Sequence, residues 1–139
     1  MELHNFQTTQ QIHDFIKSNF NYIGFTHGHI YSNNKFNNPY WTIKENNNNF
    51  YLLMFCEPTT LCKLCWKSYQ IIFEFELKHN LQIIWSKNKH GKIIGNNAFY
   101  MHNVIQDAYN DNLELKENIN IFWKDYNWLN NSFNNLKIV

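Results

Sequence analysis

Three cysteines, Cys56, Cys62 and Cys65, fall within ten residues of one another, a spacing that supplies half of a tetrahedral zinc site. A distant imidazole such as His79 or His102 would have to complete the set, and with one CxxC and no second pair the competing reading is buried, reduced thiols. His27 and His29 are two residues apart and share a face if their segment is a strand; such a pair binds a metal or activates water only with help, and no carboxylate neighbours them in sequence. His102 with Asp107 or Asp111 is a third set from which a metal-dependent hydrolytic site could be assembled. A different chemistry is concentrated near the end. Phe122, Trp123, Tyr126 and Trp128 place four aromatic rings in seven residues, with Lys124 among them and Lys137 beyond. Rings beside cations suit stacking on bases or docking of a protein partner, and Lys87, Lys89 and Lys92 enlarge the cationic set. No G-x-x-x-x-G-K, G-x-S-x-G or H-E-x-x-H occurs, so P-loop, hydrolase and zincin chemistry have no support.

The 139 residues are enough for one domain with a real core, and an aromatic content of 18% means that rings will supply much of the buried area. Net charge is +1, and all twelve cations are lysine. Arginine makes the bidentate contacts that read guanine edges and clamp phosphate, whereas lysine offers a point charge. A near-neutral chain also lacks the excess that drives tight nonspecific binding to DNA, so any such binding should be weak and salt-sensitive. Asparagine is abundant, including the run Asn46 to Asn49, and with much Lys, Ile and Tyr and no Arg this composition fits coding in an AT-rich genome. The tracts are short and flanked by apolar runs, which makes them loop filler. No run of eighteen apolar residues and no apolar leader at the N-terminus are present, so the expectation is an intracellular protein with no membrane span and reduced cysteines.

The elements that must hold these residues can be read from periodicity. Thr8 or Thr9 is a good N-cap, and Ile12, Phe15, Ile16 and Phe20 recur at helical spacing, predicting a helix over 9–19. Residues 21–31 read as a strand with a turn or bulge, and 33–39 as a loop. Tyr40 to Lys44 and Phe50 to Cys56 form a hairpin with a long Asn-rich tip, ended by Pro58. A helix is expected over 66–77, with Ile72, Phe73 and Phe75 inward and Glu74 and Glu76 toward solvent. Strands follow at 81–85, 92–94 and 98–101, separated by turns at His90-Gly91 and Gly95-Asn96-Asn97. A helix over 102–110 carries Val104, Ile105 and Ala108 on one side. The chain then reads as a strand over 118–123, a loop over 125–131 and a helix or helical turn over 132–139. This is an α+β pattern of small antiparallel sheets and hairpins with three to four helices. It forms a single domain, 1–139, with a conceivable division into 1–80 and 81–139.

The run Leu129-Asn130-Asn131-Ser132-Phe133-Asn134-Asn135-Leu136-Lys137 resembles the "LNNRxxNLR" signature that closes the core of HNH nucleases of the homing-endonuclease type. Upstream, Trp85-Ser86, Gly91-Lys92-Ile93 and Tyr100 to Ile105 are similar to a "W…GYI…yLHrvI" stretch in phage and giant-virus HNH proteins. Asn38 to Ile43 followed by Leu53 to Glu57 resembles the "NPYWTV…yLMyCE" stretch ahead of such cores in large DNA viruses of amoebae. Together these cover about residues 38–139. The resemblance implies a terminal ββα element in which a histidine six residues before the Leu activates water, the residue before it and one beyond the "NL" Asn hold a divalent metal, and that Asn orients the histidine. The matching positions here hold Trp123 for the base and Phe122 for the first ligand, and only the orienting residue survives, as Asn135. The family's arginines become Ser132 and Lys137.

The resemblance therefore implies a catalytically inactive HNH-like protein with no catalytic residue, no cofactor and no bound metal, encoded by a large DNA virus or an AT-rich relative. Such a protein would be retained as a binding or structural subunit. Two uses of the rings remain open: Phe122 and Trp123 fill the space left by the histidine and its metal, or they stand exposed for stacking or docking. Double-stranded DNA would be contacted weakly through Lys87, Lys89, Lys92, Lys124 and Lys137 with Trp123, Tyr126 and Trp128. The competing expectations are a viral interaction or assembly component that docks a protein, and an active endonuclease with a relocated metal site using His27, His29 or His102.

Overall fold

The computed structural model describes residues 7–26, 38–45, 48–57, 60–96, 98–107 and 121–138. Helix α1 runs over Thr9–Asn19, and the Thr8 hydroxyl accepts a hydrogen bond from the Gln11 amide at its start. Its buried stripe is Ile12 and Ile16, one helical turn apart. Four strands follow, β1 (Tyr22–Thr26), β2 (Tyr40–Lys44), β3 (Phe50–Cys56) and β4 (Thr60–Cys65), paired antiparallel in sequential order. Of the strand with a turn or bulge expected over 21–31, β1 shows a register shift between Tyr22 and Gly24, while residues 27–31 lie outside the described residues.

Leu52, Leu53 and Met54 are all buried, although consecutive strand residues point to opposite faces. Both faces are therefore covered. Trp41 meets His13 of α1 on one side, and Tyr40 meets Tyr69 of the following helix on the other. Strand β4 was not among the expected elements. Its sequence, TLCKLC, has no aromatic and only one β-branched residue, so propensity is silent; burial on both faces, with Lys63 alone among its inner residues half exposed, is what makes it a strand.

Helix α2 (Trp66–Lys78) buries Tyr69, Ile72, Phe75 and Glu76. The expectation that Glu76 faces solvent is thus corrected. It lies four residues after Ile72 on the inward stripe, whereas Glu74 is exposed and Phe73 only half-buried. Strands β5 (Trp85–Lys87) and β6 (Ile93–Gly95) form a short hairpin. The Asn88 carboxamide accepts from the amides of His90 and Lys92, and Gly91 takes φ +88° in the turn. Residues 81–84 are not a strand, and of the run expected over 98–101 only the single bridge Tyr100–Ile94 is seen. Helix α3 (Met101–Asp107) is buried continuously from Met101 to Ile105.

Strand β7 (Ile121–Trp123) pairs antiparallel with β8 (Leu136–Ile138). Of the helix or helical turn expected over 132–139, the turn is present and the longer helix is replaced by a strand. Phe133–Asn135 makes one 3-10 turn, and the chain then enters β8. Ser132 gives no side-chain cap, while Leu136, Lys137 and Ile138 find backbone partners on β7. Among the described residues the C-terminal element is two strands around a loop, with no α-helix after them. The helices number three among those residues, and none is long and apolar enough to cross a membrane.

Two buried asparagines tie the pieces together. Asn38 donates to the carbonyls of Phe55 and Trp85 at 2.9 and 2.8 Å and accepts from the Trp85 amide at 2.7 Å, linking β3 to β5. Asn38→Ala orphans those buried groups and is expected to cost about 2 kcal/mol in a urea titration; a loss within experimental error would show the link to be dispensable. The tail closes the other margin of the sheet. Lys63 of β4 donates its amide to the Leu129 carbonyl at 2.7 Å and accepts from the Asn131 amide at 2.8 Å. One core cluster runs from Ile12 to Leu136 through all of these elements.

Candidate functional site

The loop between β7 and β8 is built from its own side chains. Asp125 accepts from the Asn127 amide (2.9 Å) and, through its two oxygens, from the carboxamides of Asn135 and Asn130 (both 2.8 Å). Burial alone would raise the Asp125 carboxyl; the donors from Asn130, Asn127 and Asn135 outweigh it and hold the group below its ordinary range. Asn135 also accepts from the Asp125 amide at 3.1 Å and donates to the Asn130 carbonyl at 2.9 Å. Its polar atoms are committed to the loop, in the manner of an Asx-rich turn. Asn130, Asn131 and Asn135 thus brace this segment whatever its ancestry.

Phe122 and Trp123 point in opposite directions, as neighbours on a strand must. Trp123 is 5% exposed and Phe122 38%. The Trp123 indole donates to Asn131 Oδ1 at 2.9 Å, and the Asn131 amide reaches Met101 Sδ at 3.4 Å and Cys62 Sγ at 3.6 Å. The indole also meets the edge of His102, with ring centroids 4.7 Å apart. His102 is buried, and its Nδ1 has no hydrogen-bond partner. Burial first, then the nearby Lys92 charge, pushes its pKa down to about 4, so it is a neutral ring in the core at ordinary pH. Chemically, position 123 is a hydrogen-bonded indole with no basic atom, and the imidazole of His102 is sealed against it.

Among the described residues no three His, Cys, Asp or Glu converge to hold a metal. The cysteine spacing has a clear geometric reason for not being a chelate. Cys62 and Cys65 lie an odd number apart on β4, which sends their side chains to opposite faces. Cys56 and Cys62 are buried; burial and the neighbouring Cys62 thiol push the Cys56 thiol well up. Cys65 stands before α2, within 3.3 Å of the Ser68 hydroxyl and accepting from the Phe133 amide. Burial raises its pKa, but the donors from Ser68, Phe133 and Lys67 bring it below its ordinary value. His27, His29 and Asp111 lie outside the described residues, as does the Asp107 side chain.

The cationic and aromatic candidates form a surface around the two C-terminal hairpins. Lys92 bridges them, with its ammonium 5.2 Å from the Trp128 ring centroid and 5.8 Å from that of Trp123. A Cβ at Gly91 would meet the Trp128 ring at 3.5 Å, an ordinary van der Waals distance, so it is the φ of +88° and not the space that favours glycine here. Lys137 pairs in register with Phe122, placing both on the outer side of the ribbon. Tyr126 meets Phe122 edge-on at 5.3 Å. Lys89, Lys124 and Lys137 are exposed, whereas Lys87 and Lys92 are half-buried. Of the rings assigned to this surface from sequence, Trp123 does not belong to it.

No protein-family model, curated protein or solved structure matches this chain significantly. Residues and geometry alone carry the functional reading.

A second surface was not signalled by any motif. Ile23, Phe50 and Trp66, each about half exposed, surround an open depression of about 470 Å3 with Thr42 and Leu52 among its lining residues. They come from three separate elements, and no spacing in the sequence joins them.

Proposed function

We propose that this chain is a noncatalytic nucleic-acid-binding protein whose C-terminal ribbon descends from an HNH-like nuclease core. The observation that carries the loss of catalysis is Trp123. An indole bound to Asn131 cannot take a proton from water, and loss of a general base alone costs about two to four orders of magnitude in rate. Phe122, the counterpart of a metal ligand, has no donor atom. Support for binding comes from the cations and exposed rings gathered on the two hairpins, with Lys92 between them. Lysine without arginine favours phosphate contact over base reading.

In a gel shift at low salt the chain is expected to retard long duplex DNA weakly, with binding that falls steeply as salt rises. Replacing Lys89, Lys124 and Lys137 together by Gln should abolish the shift and leave the fold intact. Plasmid incubated with Mg2+ or Mn2+ should remain unnicked. Nicking that disappears in His102→Ala would overturn the noncatalytic reading, and no retention of any nucleic acid at low salt would overturn the binding one. The depression around Phe50 and Trp66 favours a second reading, in which the chain docks an apolar segment of a protein partner. In that case Trp66→Ser would abolish partner capture while leaving the gel shift unchanged.

A further inference from the structure

The β5–β6 hairpin and the terminal ribbon carry a charge balance opposite to that of the rest of the chain. Residues 85–95 and 121–139 hold five lysines against one acid, Asp125; the other 109 residues hold seven lysines against ten acids. The lone carboxylate is engaged by Asn127, Asn130 and Asn135 within the loop. This part of the molecule is therefore suited to a polyanion, even though the whole chain is almost neutral.

Tyr126 is the residue here that stability does not explain. It sits at φ 60°, a left-handed backbone conformation that bulky side chains rarely adopt, and its ring is 80% exposed. That conformation costs roughly 1–2 kcal/mol for a residue with a Cβ, and so exposed a ring returns little burial. Glycine or asparagine would suit the turn better. Phe122 props the ring edge-on, at an interplanar angle of 88°, and Lys137 stands opposite Phe122 on the ribbon. A strained, outward aromatic residue flanked by cations is a stacking platform.

We infer that this surface binds single-stranded nucleic acid in preference to duplex, with an unpaired base stacked on Tyr126 and the backbone phosphates contacted by Lys124 and Lys137. The inference rests on the nucleic-acid reading above and narrows it. Bases in a duplex hide their faces in the stack, so an exposed ring gains from unpaired bases alone. Reading a duplex in its major groove takes a free helix or a long ribbon. Among the described residues α3, packed against the ribbon, is buried from Met101 to Ile105, and β7 and β8 are three residues each.

The test uses the full chain at low salt, with fluorescence anisotropy of a labelled mixed-sequence oligonucleotide and of the duplex it forms with its complement. The single strand should bind about tenfold more tightly or better. Tyr126→Asn should weaken single-strand binding roughly five- to hundredfold, the range of one lost base stack. It should leave duplex binding unchanged and raise the melting temperature, because the turn is relieved. Tyr126→Phe should bind like the unaltered chain. Equal affinity for the two nucleic acids, undiminished single-strand binding by Tyr126→Asn, or lost binding by Tyr126→Phe overturns the inference while the broader reading stands. Failure to bind either nucleic acid removes both.

Discussion

Trp123→Ala is expected to destabilise the protein by about 4 kcal/mol, the range for emptying a large buried aromatic site. The indole fills the space between β7 and α3, against His102 at 4.7 Å, and its N–H is the partner of Asn131 Oδ1. Removing it leaves a cavity and a buried carboxamide oxygen without its donor. Phe122→Ala, one position earlier, should cost under about 1 kcal/mol, because that ring is already partly in water. Urea denaturation of the two variants reads the contrast directly, and equal losses would mean that the inward and outward assignments are wrong. Trp123→His puts back the residue type that the HNH resemblance calls for. The smaller ring should underfill the site, lowering stability by about 2 kcal/mol, and no nicking of plasmid with Mg2+ should return, since Phe122 still offers no ligand.

Acidification gives the second large effect, through His102. Folding holds this imidazole neutral with a pKa of about 4, against 6.5 in an unfolded chain. As the pH falls, the unfolded chain therefore takes up the proton first. The stability tied to this group is complete above about pH 6.5, is lost progressively as the pH falls toward 4, and stops declining once the folded form is protonated as well. The shift corresponds to about 3 kcal/mol between pH 7 and pH 4. Carboxylates such as Asp125, whose pKa is lowered in the fold, steepen the acid limb further. His102→Leu isolates the imidazole: its stability-against-pH curve should be flatter than that of the unaltered chain by about that amount. Because Nδ1 has no partner to lose, the variant should be at least as stable at pH 7. Parallel curves for the two proteins would exclude a buried neutral ring.

The parts of this fold that could be read in advance are those in which local signals and burial agree. Helix α1 has its cap at Thr8 and its apolar stripe at Ile12 and Ile16, and the β2–β3 hairpin has two apolar runs around an Asn-rich tip. Strand β4 is silent in sequence because its strand character comes from being covered on both faces, by α2 immediately after it and by Met101 and Asn131 far along the chain. Glu76 was placed outward by its charge, but its position on α2 is set by the stripe of Tyr69, Ile72 and Phe75. At the terminus residues 132–139 read as a helix or helical turn; only the turn forms, at Phe133–Asn135, because the pairing of Leu136 with Trp123 draws the chain into a strand.

The candidate site was half legible. The aromatic clustering drew attention to the segment, but not to which ring turns inward, since strand alternation fixes only that Phe122 and Trp123 differ. Asn131 looked like one loop asparagine among several and proved to be the buried partner of Trp123, Met101 and Cys62. The conformation of Tyr126 has one faint trace in sequence, the flanking Asp125 and Asn127, whose side chains make tight turns.

The bond pair between Lys63 and residues 129 and 131 bears on solubility as well as architecture. An outer strand with free amide and carbonyl groups is a template on which further copies of a chain can stack. Here the terminal ribbon occupies part of that template on β4. Protease clipping or a premature stop codon ahead of Leu129 would remove β8 with Lys137 and, at the same stroke, bare a sticky flank prone to self-association. Shortened versions of this protein should be sought in the insoluble fraction.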